Sequence, residues 1–315
     1  MITGATGFIG SRLLKVIAAD ENIKVKILSR RKYWSTNHLK NVEFFQGDLL
    51  SEKCLENFVE KRSTMVNLAY LSSNSMDDNL RAAKNIARTC LAKKVRRFVH
   101  CSTAVVVGRS RERIITEAST CLPVTSYEKT KLRIENLFIE QLGAETEVVI
   151  LRPTAVFGPG GQNLLKIARQ INTGNSLTGL IKMSFYAGRR LNLVSVENVV
   201  SAIKFLVFFD STLPHRRYIV SDDDEPENNY KDIVSYLAQN SDRRIPPHLP
   251  IPLQPKLLSL TLRMAGRTNY NPGRVYSSSR LKSIGYQKQI TFKKALEQFA
   301  EWVRREIAVG SLSFQ

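Results

Sequence analysis

Short apolar runs alternate with helix-length amphipathic segments through the first half of the chain. The runs "IKVKIL" (23–28), "VEFF" (42–45), "TMVNLA" (64–69), "RFVHCS" (97–102) and "EVVILR" (147–152) read as buried strands. Between them, "GSRLLKVIAAD" (10–20), "LENFVEK" (55–61), "NLRAAKNIARTCLAKK" (79–94) and "YEKTKLRIENLFIEQL" (127–142) repeat apolar residues at helical spacing. This alternation predicts an α/β fold, a doubly wound parallel sheet with helices on both faces. Past Phe157 the chain becomes turn-rich, with "GPGGQN", "SDDDEPENN" and "RRIPPHLPIPLQP". The pattern divides the chain into a first domain over 1–157 and a smaller α/β region over 158–315. Within the latter, a strand-helix unit at about 188–210 is expected to return to the main sheet. Only Met1 and Ile2 precede "TG", whereas a buried strand usually needs about five residues. The reading therefore expects the natural start to lie upstream of Met1.

Composition narrows the class. The 315 residues are 43% hydrophobic, enough for a sizeable core, and no apolar run approaches the ~18 residues of a membrane span. With no charged leader segment, and with Cys54, Cys90, Cys101 and Cys121 dispersed, the expectation is a cytoplasmic chain with free thiols. His38, His100, His215 and His248 are equally scattered, so no metal site is expected. The net charge of +19 is spread in short basic pairs, without the spacing of a nucleic-acid module. That excludes nucleic acid as the expected partner and leaves a weak peripheral attraction to anionic membrane. An anionic cofactor and substrate account for part of the excess.

The segment "TGATGFIG" places Gly4, Gly7 and Gly10 between the first strand and the first helix. Glycine is needed there for the tight turn, for close approach to a pyrophosphate and for helix–strand packing, and the helix N-terminus offers free N–H groups. The expected cofactor site is thus Rossmann-type, taking in Gly4, Thr6, Gly7, Phe8, Ile9 and Gly10. The second strand ends in "LSRRK". Ser29, Arg30 and Arg31 stand where a carboxylate would favour NAD, and they suit a 2′-phosphate, so NADP is expected, with NAD as the alternative. The same residues also read as a solvated basic loop. Asp48, in "GDL", can accept the adenine amino group.

"SYEKTK" sets Tyr127 and Lys131 one helical turn apart, which by itself is also an ordinary exposed helix face. Taken with "TGATGFIG", "GDL", "NLA" (67–69), "CSTAVVVG" (101–108), "LRPTAVFGPGG" (151–161) and the closing "RLKSIGYQKQITFKKALEQFAEWV", the chain resembles an extended short-chain dehydrogenase/reductase of the NAD-dependent epimerase/dehydratase group. The resemblance runs nearly the whole length. It implies that Tyr127 is the acid and Lys131 its activator, and that Thr103, or Ser102 beside it, binds a carbonyl. It also implies that Asn79 positions a water near the lysine. Leu49, Leu68, Ala69 and Pro153 would join Tyr127 and Lys131 in contacting the cofactor, and Thr154 would meet substrate. A phenol with an ordinary pKa near 10 needs about 4 kcal/mol to serve at neutral pH. An ammonium about 6 Å away supplies near 3 kcal/mol at an effective dielectric of about 20. An oxidised nicotinamide would supply the remainder.

Sugar nucleotides are the substrates this resemblance most often implies, and "GRRLNLVSVENVVSAI" is similar to the substrate-lid region of bacterial UDP-sugar 4-ketoreductases. Arg189, Arg190, Asn192 and Arg267 are the candidate sugar or phosphate contacts. Ala155 departs from the UDP-galactose epimerase pattern, which has an asparagine there. The expectation is NAD(P)H-dependent reduction of a UDP-4-keto-6-deoxy-hexosamine. The alternatives are a sugar-nucleotide 4-epimerase and a reductase of a lipophilic ketone. The resemblance also implies a homodimer packed through the helices at 79–94 and 127–142.

Overall fold

The computed structural model describes residues 1–31, 39–173, 186–241, 259–260, 264 and 271–309. The chain runs β1 (Ile2–Thr3), α1 (Phe8–Ala18), β2 (Val25–Ser29), β3 (Val42–Gln46), α2 (Glu52–Phe58), β4 (Thr64–Asn67), α3 (Met76–Ala92) and β5 (Arg97–Cys101). A 3₁₀ turn (Ala104–Val107) and β6 (Ile114–Ile115) lead to α4 (Ser126–Leu142), β7 (Glu147–Pro153), β8 (Ala155–Phe157) and α5 (Leu165–Thr173). The remainder is β9 (Leu193–Ser195), α6 (Val196–Val207), β10 (Arg217–Val220), α7 (Tyr230–Gln239), β11 (Val275–Tyr276), α8 (Ser279–Ser283) and α9 (Phe292–Ala308).

A seven-stranded sheet in the order β10-β7-β5-β4-β1-β2-β3 pairs in parallel throughout. The doubly wound Rossmann-type fold expected from the alternation is the observed one. Its central strands are buried on both faces, which is why they read as continuous apolar runs rather than alternating ones. One core, built on Leu13, Leu14, Ile17, Val199, Ile203 and Leu206, fills the space between the sheet and α1 and α6. A second, with Phe58, Ile86, Phe98, Ile134 and Phe138, lies under α2, α3 and α4. Each fully buried aliphatic or aromatic side chain contributes about 1.5–3 kcal/mol. Strand order reverses between β1 and β4, which opens a crevice at the carboxyl ends of the strands, where ligands of such sheets bind.

The unit at 188–210 differs from expectation in one respect. Its strand, β9, pairs with β8 in a separate two-stranded sheet, and its helix, α6, packs on the main sheet beside α1. The strand that completes the main sheet is β10, whose Arg217–Val220 register matches Ile150–Pro153 of β7. The carbonyls at the end of α6 are capped by the buried Arg97 of β5, which donates to Leu206, Val207 and Phe209. No helix among the described residues is long and apolar enough to cross a membrane.

Candidate active site

The glycine loop is packed so that side chains cannot enter it. Gly4 has φ +73°, and a Cβ there would stand 2.8 Å from the Ala69 nitrogen and the Leu68 carbonyl carbon. A Cβ on Gly10 would stand 2.1 Å from the Gly4 oxygen. Gly7 caps α1 with no side chain of its own and donates to the Gly4 carbonyl (3.1 Å). The loop thus presses directly on the 68–69 segment after β4, bringing together two of the expected cofactor regions. Arg12 ties it to the "FGPG" turn, donating to the carbonyls of Phe8 (3.0 Å) and Pro159. This is a backbone cradle at a helix N-terminus, the form that accepts a pyrophosphate.

At the end of β2, the Ser29 hydroxyl closes its own turn, donating to the Arg31 carbonyl (2.9 Å) and accepting from the Arg31 N–H (3.3 Å). Arg30 and Arg31 are exposed. The Asp48 carboxylate accepts from the Leu50 N–H (2.9 Å) and so shapes the turn after β3, with Leu49 buried behind it.

The start of α4 is fixed by a capping box. Thr125 accepts from the Glu128 N–H (3.2 Å), and the Glu128 carboxylate accepts from the Thr125 and Val124 N–H groups. Tyr127 therefore lies in the first turn and Lys131 in the second, on the face toward β5. Farther along, Glu135 receives a bidentate bond from the buried Arg152 of β7 (2.6 and 3.1 Å), which locks the helix to the sheet. The Lys131 ammonium is buried and donates to the Cys101 carbonyl (3.0 Å). Burial pulls its pKa down, while Cys101 and Glu135 pull it back up.

Tyr127 is 43% exposed, yet burial pushes its phenol up to about 12, with Cys101 and Tyr70 adding in the same direction. The expectation that Lys131 lowers this phenol is thus not met by the protein alone. The ammonium is directed to a main-chain carbonyl, and desolvation sets the direction of the phenol's shift. Sequence reasoning missed Tyr70. Its ring meets Tyr127 edge-on at 5.2 Å, carries the Lys131 ammonium 5.4 Å from its centroid, and its phenol meets the Thr130 hydroxyl. The only local signal was an aromatic residue directly after "NLA".

Thr103 is half-buried and begins the 3₁₀ turn, where its oxygen accepts from the Val105 N–H (3.4 Å), leaving its own proton to donate. Ser102 and Thr154, at the ends of adjacent strands, are buried, and their hydroxyls lack a partner among the described residues. Buried hydroxyls without partners, beside a glycine cradle that a Cβ would fill, fit a polar ligand at this edge of the sheet. Pro153 ends β7 between Arg152 and Thr154.

Other candidates are held by the fold. Asn79 accepts from the Leu71 N–H and donates to the carbonyls of Leu71 and Ser75 (3.0 Å each), so it braces the 71–75 turn. Arg190 donates to the carbonyls of Asp223, Glu225 and Pro226. Asn192 is buried and donates to the Asp223 carboxylate and the Arg274 carbonyl (2.7 Å each). Both side chains organise the loop after β10 instead of facing the crevice. Arg189 lies half-buried against the Tyr186 ring. Arg267 lies outside the described residues.

A buried polar chain crosses the sheet below the site. Thr3 donates to Asn67 (2.6 Å), and the Asn67 amide meets Nδ1 of His100 (3.1 Å), whose Nε2 has no partner among the described residues. Burial and the nearby Lys131 hold His100 well below the usual imidazole range, so it is neutral.

Comparison with known proteins agrees with this fold. The chain is 24% identical over 265 residues to the N-acetyl-alpha-D-glucosaminyl-diphospho-ditrans,octacis-undecaprenol 4-epimerase of Escherichia coli O157:H7, covering 80% of this chain and 76% of the relative. It is 27% identical over 190 residues to the dTDP-D-glucose 4,6-dehydratase of Dictyostelium discoideum; that match takes in 50% of this chain and only 44% of the relative's length. The solved structure of UDP-glucuronic acid 4-epimerase from Bacillus cereus, in complex with NAD, shares the fold at a TM-score of 0.71 and 17% identity, over 100% of this chain and 99% of that one. Residues 1–220 match the NAD dependent epimerase/dehydratase family, which spans well over half the chain. The chain belongs to that family and is an enzyme of the extended short-chain dehydrogenase/reductase type.

Proposed function

We propose that this enzyme transfers hydride at C4 of a sugar carried on a diphosphate, with net reduction of a UDP-4-keto-6-deoxy-hexosamine as its reaction. The observation that supports this reading is the bond from Lys131 to the Cys101 carbonyl, which sets the Tyr127–Lys131 turn of α4 against the end of β5, two residues before Thr103, in a sheet whose first strand leads into the glycine cradle. Gly4, Gly7 and Gly10 would hold the cofactor diphosphate. Arg30 and Arg31, exposed at the end of β2 with no carboxylate in that turn, support the phosphorylated form, NADP. A nicotinamide cofactor supplies the hydride and, when oxidised, a positive charge.

The protein's own groups do the rest. The Thr103 hydroxyl donates to the carbonyl oxygen and fixes its position. Tyr127 delivers its proton to that oxygen as negative charge develops there. The Lys131 ammonium has three N–H donors, of which Cys101 takes one, so it can also stabilise the resulting phenolate. The turn after Thr103 is Ala104–Val107 and carries no carboxylate, which disfavours an elimination that would need a further acid and base there.

A second reading, 4-epimerisation with a retained cofactor, is supported by the 4-epimerase activities of the E. coli and B. cereus proteins. The E. coli name also indicates that the diphosphate carrier can be a polyprenol rather than a nucleoside. Incubation with the keto-sugar nucleotide and NADPH separates the two readings. Stoichiometric loss of the reduced-nicotinamide absorbance supports reduction. Interconversion of two C4 epimers without that loss replaces reduction by epimerisation.

A further inference from the structure

We infer that the segment between Thr103 and Tyr127 forms a rim that docks the mouth of the active site on an anionic lipid bilayer. Three large apolar side chains stand exposed on this one segment: Val105 (40%), Ile114 (58%) and Leu122 (50%). Interleaved with them are Arg109, Arg111 and Arg113, all exposed. The acid of the run, Glu112, is turned to the hydroxyls of Ser110 and Ser119.

These residues belong to one stretch of chain whose ends are joined by main-chain hydrogen bonds around Gly108. The Gly108 N–H donates to the Val105 carbonyl, and Leu122 is bonded on both sides, to Val107 and Arg109. Val105, Arg109 and Leu122 therefore gather around Gly108, where an added Cβ would stand 2.0 Å from the Leu122 oxygen. From Arg109 the chain leads through an irregular stretch to Ile114, the first residue of β6. Its back is pinned. The buried Arg274 donates to the carbonyls of Gly108 and Ser110, and the N–H groups of Val275 and Ser277 donate to Arg113 and Ile115. The fold thus fixes the backbone of the strip while leaving apolar and cationic side chains outward.

Apolar side chains set among arginines, beside a catalytic tyrosine that is itself 43% exposed, match a surface of acyl chains below anionic headgroups. A nucleic acid would be met by cations and stacking aromatics, and this strip has no aromatic residue. The inference rests on the proposed reaction only for its consequence: a mouth held at the bilayer would receive a sugar diphosphate carried on a lipid.

The test is co-sedimentation of the full chain with vesicles of phosphatidylglycerol and phosphatidylcholine in equal parts, at near-physiological salt. Each surface arginine contributes about fivefold to partition, so Arg109→Gln/Arg111→Gln/Arg113→Gln is expected to lower binding roughly a hundredfold. The control, Lys24→Gln/Lys53→Gln/Lys61→Gln, removes the same charge elsewhere and should change it far less. Leu122→Ser/Ile114→Ser should weaken the binding that survives at high salt. No binding by the unaltered chain, or equal losses in the two triple variants, overturns the inference. Binding indifferent to Leu122 and Ile114 also overturns it and points instead to an acidic protein. Because partition needs no turnover, failure here is separate from failure of the proposed reaction.

Discussion

Replacing Gly10 by Ala tests whether the first turn of α1 is a phosphate cradle. The new Cβ would stand 2.1 Å from the Gly4 oxygen and 2.8 Å from both the Gly4 carbonyl carbon and Ala5 Cα. All three are backbone atoms, so none can rotate away. Restoring an ordinary contact of ~3.4 Å moves the start of α1 by more than an ångström, at a cost of about 1–3 kcal/mol in stability. The same movement takes the N–H groups of that turn off a bound diphosphate. Loss of two charge-assisted hydrogen bonds, at about 1.5–3 kcal/mol each, lowers affinity by at least about a hundredfold. Gly7→Ala is the matched comparison, because its Cβ would meet only the Gly4 oxygen, at 3.3 Å, and its φ of −80° suits any residue. It should cost less than about tenfold. Calorimetric titration with NADPH and NADH, alongside thermal melts, reads both effects. Unchanged affinity in Gly10→Ala, or a larger loss in Gly7→Ala, would refute the cradle.

Three further outcomes follow from the site and its supports. Tyr70→Leu removes both the edge contact to Tyr127 and the face under Lys131, together about 1–3 kcal/mol, so kcat should fall about tenfold or more with a shifted pH–rate limb, whereas Tyr70→Phe retains the ring and most of the rate; an unmoved pH profile in Tyr70→Leu would leave Tyr70 with packing alone. Burial raises Asp223 from 3.8 to about 6, so its contribution to stability is present below pH 3.8 and is lost as pH rises through about 6, by roughly 3 kcal/mol at most. Urea midpoints should therefore fall between pH 4 and 7 more steeply in the native chain than in Asp223→Asn, and parallel curves would count against the assignment. Glu135→Gln leaves Arg152 buried without its counter-charge and should cost about 3–5 kcal/mol, visible as a lower melting temperature; a shift within error would mean the pair is already relaxed.

Much of the scaffold is legible because burial imposes a local period. The apolar runs at β2, β3, β4, β5 and β7 lie on the observed strands, and "TSYE" announces the start of α4 through its capping box. β10 was less visible, since "RYIV" follows a charged turn and is only four residues long. Arg190 and Asn192 show a different limit. Their residue types suit a phosphate, but their partners lie 31 to 82 positions away, and only the folded loop reveals that main-chain carbonyls and Asp223 take them. Polar side chains go to whichever buried group would otherwise be unpaired, a choice made by tertiary packing. Tyr70 was hidden for the same reason: its significance is a meeting with three residues of α4.

The placement of the Tyr127–Lys131 pair, and its incompleteness, have one physical origin. The capping box sets where α4 begins, and the Glu135–Arg152 pair sets its register on β7, so Tyr127 and Lys131 are fixed against the end of β5. Packing α4 on the sheet takes water away from both groups, fully at Lys131 and in part at the 43%-exposed Tyr127, and this opposes charge on each: the lysine is drawn down and the phenol is held up, near 12. By itself, therefore, the fold keeps Tyr127 protonated and does not release the proton at neutral pH. Only added positive charge, or negative charge developing on an oxygen held by Thr103, can tip that balance. Spacing of Tyr and Lys along a helix is thus necessary for the chemistry but insufficient for it. What makes the pair a proton donor is a ligand that completes the electrostatics of a site whose geometry the helix cap and a buried ion pair have already set.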